Sequence, residues 1–326
     1  MRVLVIGEAG TGKSGIGASL AYTKIQNNSA VLFLDARRMT ELRTGKDFAN
    51  FFNLQGSVSE AISRLVGLSK LTLIIDQLDN VAGSLAANLL VEMTDECVGM
   101  NNLEIVVISR DFEVKGSVTL KDDFTAKGFK VVESEKQEEK DVLTILTQLG
   151  IGDFPEVVGL AQNLLNLKII AKIREEQRDF DFSIIMDEAT LWDTYLDVLM
   201  SEESVNYGST KGRKIVDEAI RLACDSLKHD IRIFTLGYSL SDEQERLKSW
   251  GVLREESLGQ YRFQHEKMQD YFYALYAVRQ QLMPSKVIEE LGVRNAKNVF
   301  QFMDSLYERD SPSLHVKFFK EIMYVK

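Results

Sequence analysis

Residues 3–14 read VLVIGEAGTGKS, and the two parts of that stretch follow different rules. Val3 to Ile6 is an apolar run of the kind that a parallel strand buried on both faces requires. Gly7 to Ser14 then fits the pattern G-x-x-x-x-G-K-[ST], the P-loop. In such a loop glycines let backbone N–H groups turn inward around phosphate oxygens, a lysine reaches the β and γ phosphates, and a hydroxyl meets Mg²⁺. Gly7, Glu8, Ala9, Gly10, Thr11, Gly12, Lys13, Ser14 and Gly15 are therefore candidate nucleotide contacts, with Lys13 reaching the phosphates and Ser14 on the metal. A phosphate loop opens a helix whose N-terminal dipole faces the anion. Residues 14–26 meet that need, with Ile16, Leu20 and Ile25 at helical spacing and no proline. A glycine-rich turn beside a surface lysine is the plain alternative.

Working outward, AVLFLDARR (30–38), KLTLIIDQLDN (70–80), LEIVVISRD (103–111) and GFKVVES (128–134) are further apolar runs separated by helical stretches. Strands alternating with helices predict an α/β domain with a mostly parallel sheet and helices on both faces. The texture changes after residue 134, so 1–134 is read as the nucleotide-binding domain. The charged run Glu133 to Asp141 is read as a solvated helix entry. Residues 135–185 form a helical subdomain. Residues 186–282 run from helices into a hairpin signal around Ser257-Leu258-Gly259-Gln260. A helix follows with Met268, Tyr271, Phe272, Leu275 and Val278 along one face, and that order of elements is the order of a winged-helix domain. Residues 283–326 read as a helical C-terminal extension.

Composition narrows the class. The 326 residues carry a net charge of −10 and are 45% hydrophobic, and no apolar run reaches the roughly 18 residues that span a membrane. The acidic balance argues against general affinity for nucleic acid, whose backbone calls for a basic surface. Cys97 and Cys224 lie in helix-like apolar settings with no secretory signal ahead of them, which is read as a pair of buried thiols in a cytoplasmic protein. His229, His265 and His315 do not have metal-ligand spacing, so no zinc site is expected.

A triphosphate site needs an acid to hold Mg²⁺ and a group to orient water. Asp76, at the end of the run 71–75, is the candidate metal-directing carboxylate, and Asp79 the candidate for polarising the water. Both could instead cap the next helix. Arg110 ends the run 103–109 and is a candidate contact for a γ-phosphate, with a surface ion pair as its alternative. The chain has no Asp-x-x-Gly after the Asp76 strand and no Asn-Lys-x-Asp. Adenine is therefore preferred over guanine.

Taken together, GEAGTGKS (7–14), LTLIIDQLDN (71–80), VVISRD (106–111), GLAQNLLNLKII (159–170) and YRFQHEKMQDYFYALYAV (261–278) resemble the NACHT branch of the STAND-class P-loop NTPases, which includes NOD-like receptors and bacterial antiphage-defence proteins. The last stretch matches that branch's F-x-H-x-x-x-Q-[ED]-[YF]-F signature through Phe263, His265, Gln269, Asp270, Tyr271 and Phe272. The resemblance implies ATP/ADP and Mg²⁺ as cofactors, a contact from His265 to the nucleotide diphosphate, and self-association into a homo-oligomer when ATP replaces ADP after a protein trigger. Effector and sensor domains would flank the segment, and 283–326 would begin the sensor region. Gln77 and Asn80 depart from the branch's D-G-x-D-E, implying slow hydrolysis, and Leu164 stands where its N-P-L motif has proline. An AAA+-like ATPase acting as a motor or loader on nucleic acid or protein is the alternative reading. A DNA-binding winged-helix regulator with an idle P-loop is a third.

Overall fold

The computed structural model describes residues 1–324 apart from Ala9, Gly116, Ser117, Asp153, Gly208 and Tyr238. The chain divides into two compact units, Met1–Lys136 and Gln137–Lys326. In chain order the first unit contains β1 (Arg2–Ile6), α1 (Lys13–Gln26), β2 (Ala30–Asp35), α2 (Gly45–Phe51), α3 (Val58–Val66), β3 (Leu71–Asp76) and α4 (Leu85–Cys97). It continues through β4 (Leu103–Ser109), β5 (Glu113–Lys115), β6 (Val118–Thr119), α5 (Leu120–Ala126) and β7 (Lys130–Glu133).

Five of these strands form one parallel sheet in the order β2-β3-β4-β1-β7, the α/β architecture of P-loop NTPases. Strand alternation sorts the core onto its two faces. Leu4, Ile6, Leu73, Ile75, Ile105 and Val107 join Phe48, Ile62, Leu90 and Phe124 in a cluster on one face. Val5, Ile74, Val106 and Ile108 meet Ala21 of α1 on the other. The hairpin β5–β6 has strands of only three and two residues, too short to leave a periodic signal.

The spacing of Ile16, Leu20 and Ile25 does not mark the buried face of α1. Gly17 and Ala21 are buried there, while Ile16 and Ile25 are exposed. A Cβ on Gly17 would lie 2.5 Å from Ile108 Cδ1, so the helix packs too close to the sheet for a larger side chain.

The second unit runs through α6 (Glu139–Gln148), α7 (Pro155–Ala161), α8 (Leu164–Glu176), α9 (Glu188–Tyr207), α10 (Ser209–Lys228), β8 (Phe234–Thr235) and α11 (Asp242–Ser249). It ends with β9 (Leu253–Ser257), β10 (Gln260–Phe263), α12 (Glu266–Arg279), α13 (Pro284–Asp310) and α14 (Pro312–Tyr324). The three strands form an antiparallel sheet in the order β8-β10-β9. One apolar cluster reaches from Val142 to Phe318. At its centre Trp192 stacks on Tyr271 with ring centroids 5.7 Å apart, and Tyr271 meets Phe302 edge-on at 5.4 Å.

Met268, Tyr271, Phe272, Leu275 and Val278 of α12 all pack in or against this cluster, and the helix is buried beyond that one face. Gln269, Asp270, Tyr273, Ala274 and Ala277 are buried along with Met268, Tyr271 and Phe272, whereas Leu275 and Val278 are only partly covered. Polar residues are admitted to that interior by a hydrogen-bonded network: Arg232 donates to Gln269 Oε1 at 2.7 Å and to Asn295 Oδ1 at 3.1 Å, and Gln269 donates to Ser226 Oγ at 2.6 Å.

Cys97 and Cys224 are both buried, and burial pushes their thiols up to about 11 and about 12. Neither is a nucleophile at neutral pH. Among the described residues no helix is long and apolar enough to cross a membrane.

Candidate functional site

The loop is built where β1 ends beside β7. The Ser134 backbone N–H donates to the Ile6 carbonyl at 2.7 Å, and the Ser134 hydroxyl donates to the Thr11 carbonyl at 3.2 Å. Ser134 therefore braces both ends of the turn, a role that no sequence pattern announced. Gly7 is required by that brace, because a Cβ there would lie 2.7 Å from the Ser134 carbonyl oxygen and 3.1 Å from its Cβ. Gly10 and Gly12, at φ 84 and 88, turn the chain back into α1 through the left-handed region that glycine adopts without strain. The Thr11 hydroxyl donates to the Glu8 carbonyl at 3.0 Å, and the Lys13 ammonium donates to the carbonyl of Gly7 at 2.6 Å and to that of Glu8. Ala9 lies outside the described residues. Gly7→Ala is expected to destabilise the first unit by about 1–3 kcal/mol through overpacking against Ser134, measured as a lower urea midpoint.

Gly12 caps α1 without a side-chain hydrogen bond, and the first turn of α1 carries no acidic residue. The N–H groups of that turn and the helix dipole are thus directed to the loop. Ser14 stands in the same turn. Its hydroxyl donates to Asp76 Oδ1 at 3.1 Å and accepts from Gln77 Nε2 at 2.9 Å. Asn80 Nδ2 donates to Gln77 Oε1 at 2.8 Å. Asp76 ends β3 and is buried, so it does not cap the following turn; Gln77 holds that position, with φ 62 and ψ 38.

Burial pushes the Asp76 carboxyl up to about 6; the Ser14 hydrogen bond opposes the shift, Asp35 adds to it and Arg37 opposes it. Asp35 is the register partner of Asp76 on β2, and Arg37 grips it through Nε at 2.9 Å and Nη2 at 2.6 Å. A hydroxyl and a carboxylate in contact are hard oxygen donors suited to Mg²⁺, which takes few protein ligands and fills its octahedron with water and phosphate oxygens. The residues therefore fit the metal: Ser14 and Asp76 would hold Mg²⁺, which would neutralise phosphate charge.

Asp79 and Arg110 are brought together, but onto each other. Arg110 Nε donates to Asp79 Oδ2 at 2.7 Å and its backbone N–H donates to Oδ1 at 3.2 Å. The ion pair is partly buried, with side-chain exposures of 29% and 11% for Arg110 and Asp79. Strand register explains the meeting. Asp76 pairs with Ile108 across β3 and β4, so the residues that leave the two strands emerge side by side.

His265 belongs to the second unit, where it precedes α12 as its N-cap without a capping side-chain bond. Its Nε2 is buried and has no hydrogen-bond partner among the described residues. Burial lowers the imidazole to about 4, helped by the charges of Lys168 and Arg262 and opposed by Glu266. The ring is neutral at physiological pH.

No family model matches the chain, and no curated protein matches it. Among solved structures it is similar to the AMPPCP-bound DnaA of Aquifex aeolicus, with 11% identity over 100% of this chain and 89% of that one, at a TM-score of 0.42. It is also similar to a Walker-type ATPase of Pyrococcus abyssi, with 14% identity, coverage of 82% and 89%, and a TM-score of 0.39. The ORC1 protein of Aeropyrum pernix in complex with DNA shows 12% identity, coverage of 86% and 88%, and a TM-score of 0.37. The strand order and the loop geometry, not these distant likenesses, carry the reading of the site.

Proposed function

We propose that the chain binds adenine nucleotide with Mg²⁺ and acts as an ATP/ADP-dependent signalling switch of the STAND type that hydrolyses ATP slowly. Nucleotide binding is supported by a loop that presents Lys13, the first turn of α1 and the contact of Ser14 with Asp76 in one place. The observation that favours a switch over a fast enzyme is the pairing of Asp79 with Arg110. The carboxylate suited to orienting water and the guanidinium suited to meeting a γ-phosphate neutralise each other. A triphosphate that draws the Arg110 guanidinium to itself would release Asp79 Oδ2, while the Arg110 backbone N–H keeps its bond to Oδ1, so a single ligand contact would change both groups. Such a ligand shifts the equilibrium by its differential affinity for the two arrangements. In this reading the second unit contributes the winged helix at β9, β10 and α12, and His265 takes the diphosphate contact that the resemblance implies. Nucleotide exchange would then lead to self-association.

The test is to purify the chain, identify retained nucleotide by chromatography, and compare mass and ATPase rate in ADP and in ATP, with and without DNA. Retained ADP, a larger mass in ATP and slow turnover indifferent to DNA are expected. Lys13→Ala should weaken ADP binding about tenfold to a hundredfold, the cost of losing hydrogen bonds to charged phosphates. Fast, DNA-stimulated turnover would replace the switch with an AAA+-like motor or loader. Absence of nucleotide binding would overturn both readings.

A further inference from the structure

We propose that Gln77 and Asn80 are positioning residues that set the Mg²⁺ dependence of nucleotide binding by aiming the Ser14 hydroxyl, an inference that rests on the nucleotide-binding reading above. The observation is a one-way relay of donors. Asn80 Nδ2 donates to Gln77 Oε1 at 2.8 Å, Gln77 Nε2 donates to Ser14 Oγ at 2.9 Å, and Ser14 Oγ donates to Asp76 Oδ1 at 3.1 Å.

Each link constrains the next. An ionised carboxylate only accepts, so the one proton of Ser14 points to Asp76. The hydroxyl then offers Gln77 a lone pair, which only the carboxamide nitrogen can use. With its nitrogen on Ser14, Gln77 turns its oxygen to Asn80, and the Asn80 amide meets that oxygen with its own nitrogen. Reversing either amide would set acceptor against acceptor or donor against donor.

A hydroxyl has one proton and two lone pairs. In this relay the proton and one lone pair are engaged, so one lone pair of Ser14 remains for a cation, and its direction is fixed. Asn80 and Asp76 are 5% and 3% exposed, which leaves solvent little opportunity to substitute for a lost link. The relay also joins the first turn of α1, which carries Ser14, to the end of β3, which carries Asp76, through the segment that follows β3.

The backbone adds an independent sign that the Gln77 side chain matters. Gln77 sits at φ 62 and ψ 38, a left-handed conformation that glycine would occupy with less strain. Its two hydrogen bonds oppose that strain. Gln77→Gly therefore separates the two roles of the residue, since it relaxes the backbone while deleting the relay, and a general loss of stability would weaken binding with and without Mg²⁺ alike.

The experiment measures ADP affinity by fluorescence displacement in excess Mg²⁺ and in EDTA, for the wild type, Gln77→Gly and Asn80→Leu. The readout is the ratio of the two affinities and the Mg²⁺ concentration at half effect. In both variants that ratio is expected to fall about tenfold and the Mg²⁺ midpoint to rise about tenfold, as for the loss of one hydrogen bond to a ligand-bearing group. An unchanged ratio in Gln77→Gly overturns the relay. Equal weakening with and without Mg²⁺ overturns it as well, because that pattern belongs to general support of the loop. A wild-type chain that binds ADP with no response to Mg²⁺ refutes this inference and leaves nucleotide binding standing. A chain that binds no ADP refutes both.

Discussion

Asp76→Asn is expected to raise the stability of the nucleotide-free first unit at pH 8 and, if the proposed metal role holds, to abolish the Mg²⁺ dependence of ADP affinity. In the wild type burial pushes this carboxyl from its ordinary 3.8 up to about 6. The folded chain therefore holds the proton at pH values where the unfolded chain has released it. The contribution of Asp76 to stability is fully present below pH 3.8 and is lost as the pH rises through 6, so that at pH 8 the buried anion costs about 3 kcal/mol relative to its protonated form. Asparagine keeps an oxygen for the Ser14 hydroxyl, which donates to Asp76 Oδ1 at 3.1 Å, and carries no charge to desolvate. Denaturation followed by circular dichroism should show the variant more stable than the wild type at pH 8 and the gap closing towards pH 4. A gap that is constant with pH would refute burial of the charge as its cause. A group kept at a cost to the fold is what a functional site calls for, and this direction of change would agree with the proposed metal role of Asp76.

The sheet was legible because its strands are short apolar runs, buried on both faces at β3 and β4 but partly exposed at the edges β2 and β7, and P-loop spacing marks where β1 ends. Ser14 and Asp76 were legible as single residues for the same reason, each being tied to the end of a recognisable element. What the sequence does not carry is partnership. Arg110 lies 31 positions from Asp79, and their pairing depends on the register that sets Asp76 beside Ile108. Gln77 reads as a departure from a motif, yet its position in the relay follows from a left-handed backbone and from an amide whose orientation Asn80 determines. The wider burial of α12 is hidden in the sequence for a related reason. Gln269 and Asp270 break the apolar period, and only the long-range bonds of Gln269 to Arg232 and Ser226 show why a polar side chain can be interior there.

Acid should act on the second unit in the opposite sense. Burial lowers His265 from 6.5 to about 4, with Lys168 and Arg262 reinforcing the shift and Glu266 opposing it, so the folded chain refuses a proton that the unfolded chain accepts. The stability this represents is fully present above pH 6.5 and is lost as the pH falls through 4, on the order of 3 kcal/mol over that window. His265→Gln removes the titration and is expected to flatten the acid limb. In the wild-type pH profile of a whole-chain measurement the two effects mix, because between pH 4 and 6 acid favours the fold at Asp76 and opposes it at His265. The tryptophans separate the two. The chain has two, Trp192 and Trp250, and both belong to the unit Gln137–Lys326, where they are buried. Tryptophan emission during urea unfolding thus follows the second unit alone. Its midpoint should fall steeply between pH 6.5 and 4 in the wild type and more gently in His265→Gln, and parallel profiles for the two proteins would show that the ring is not the group responsible.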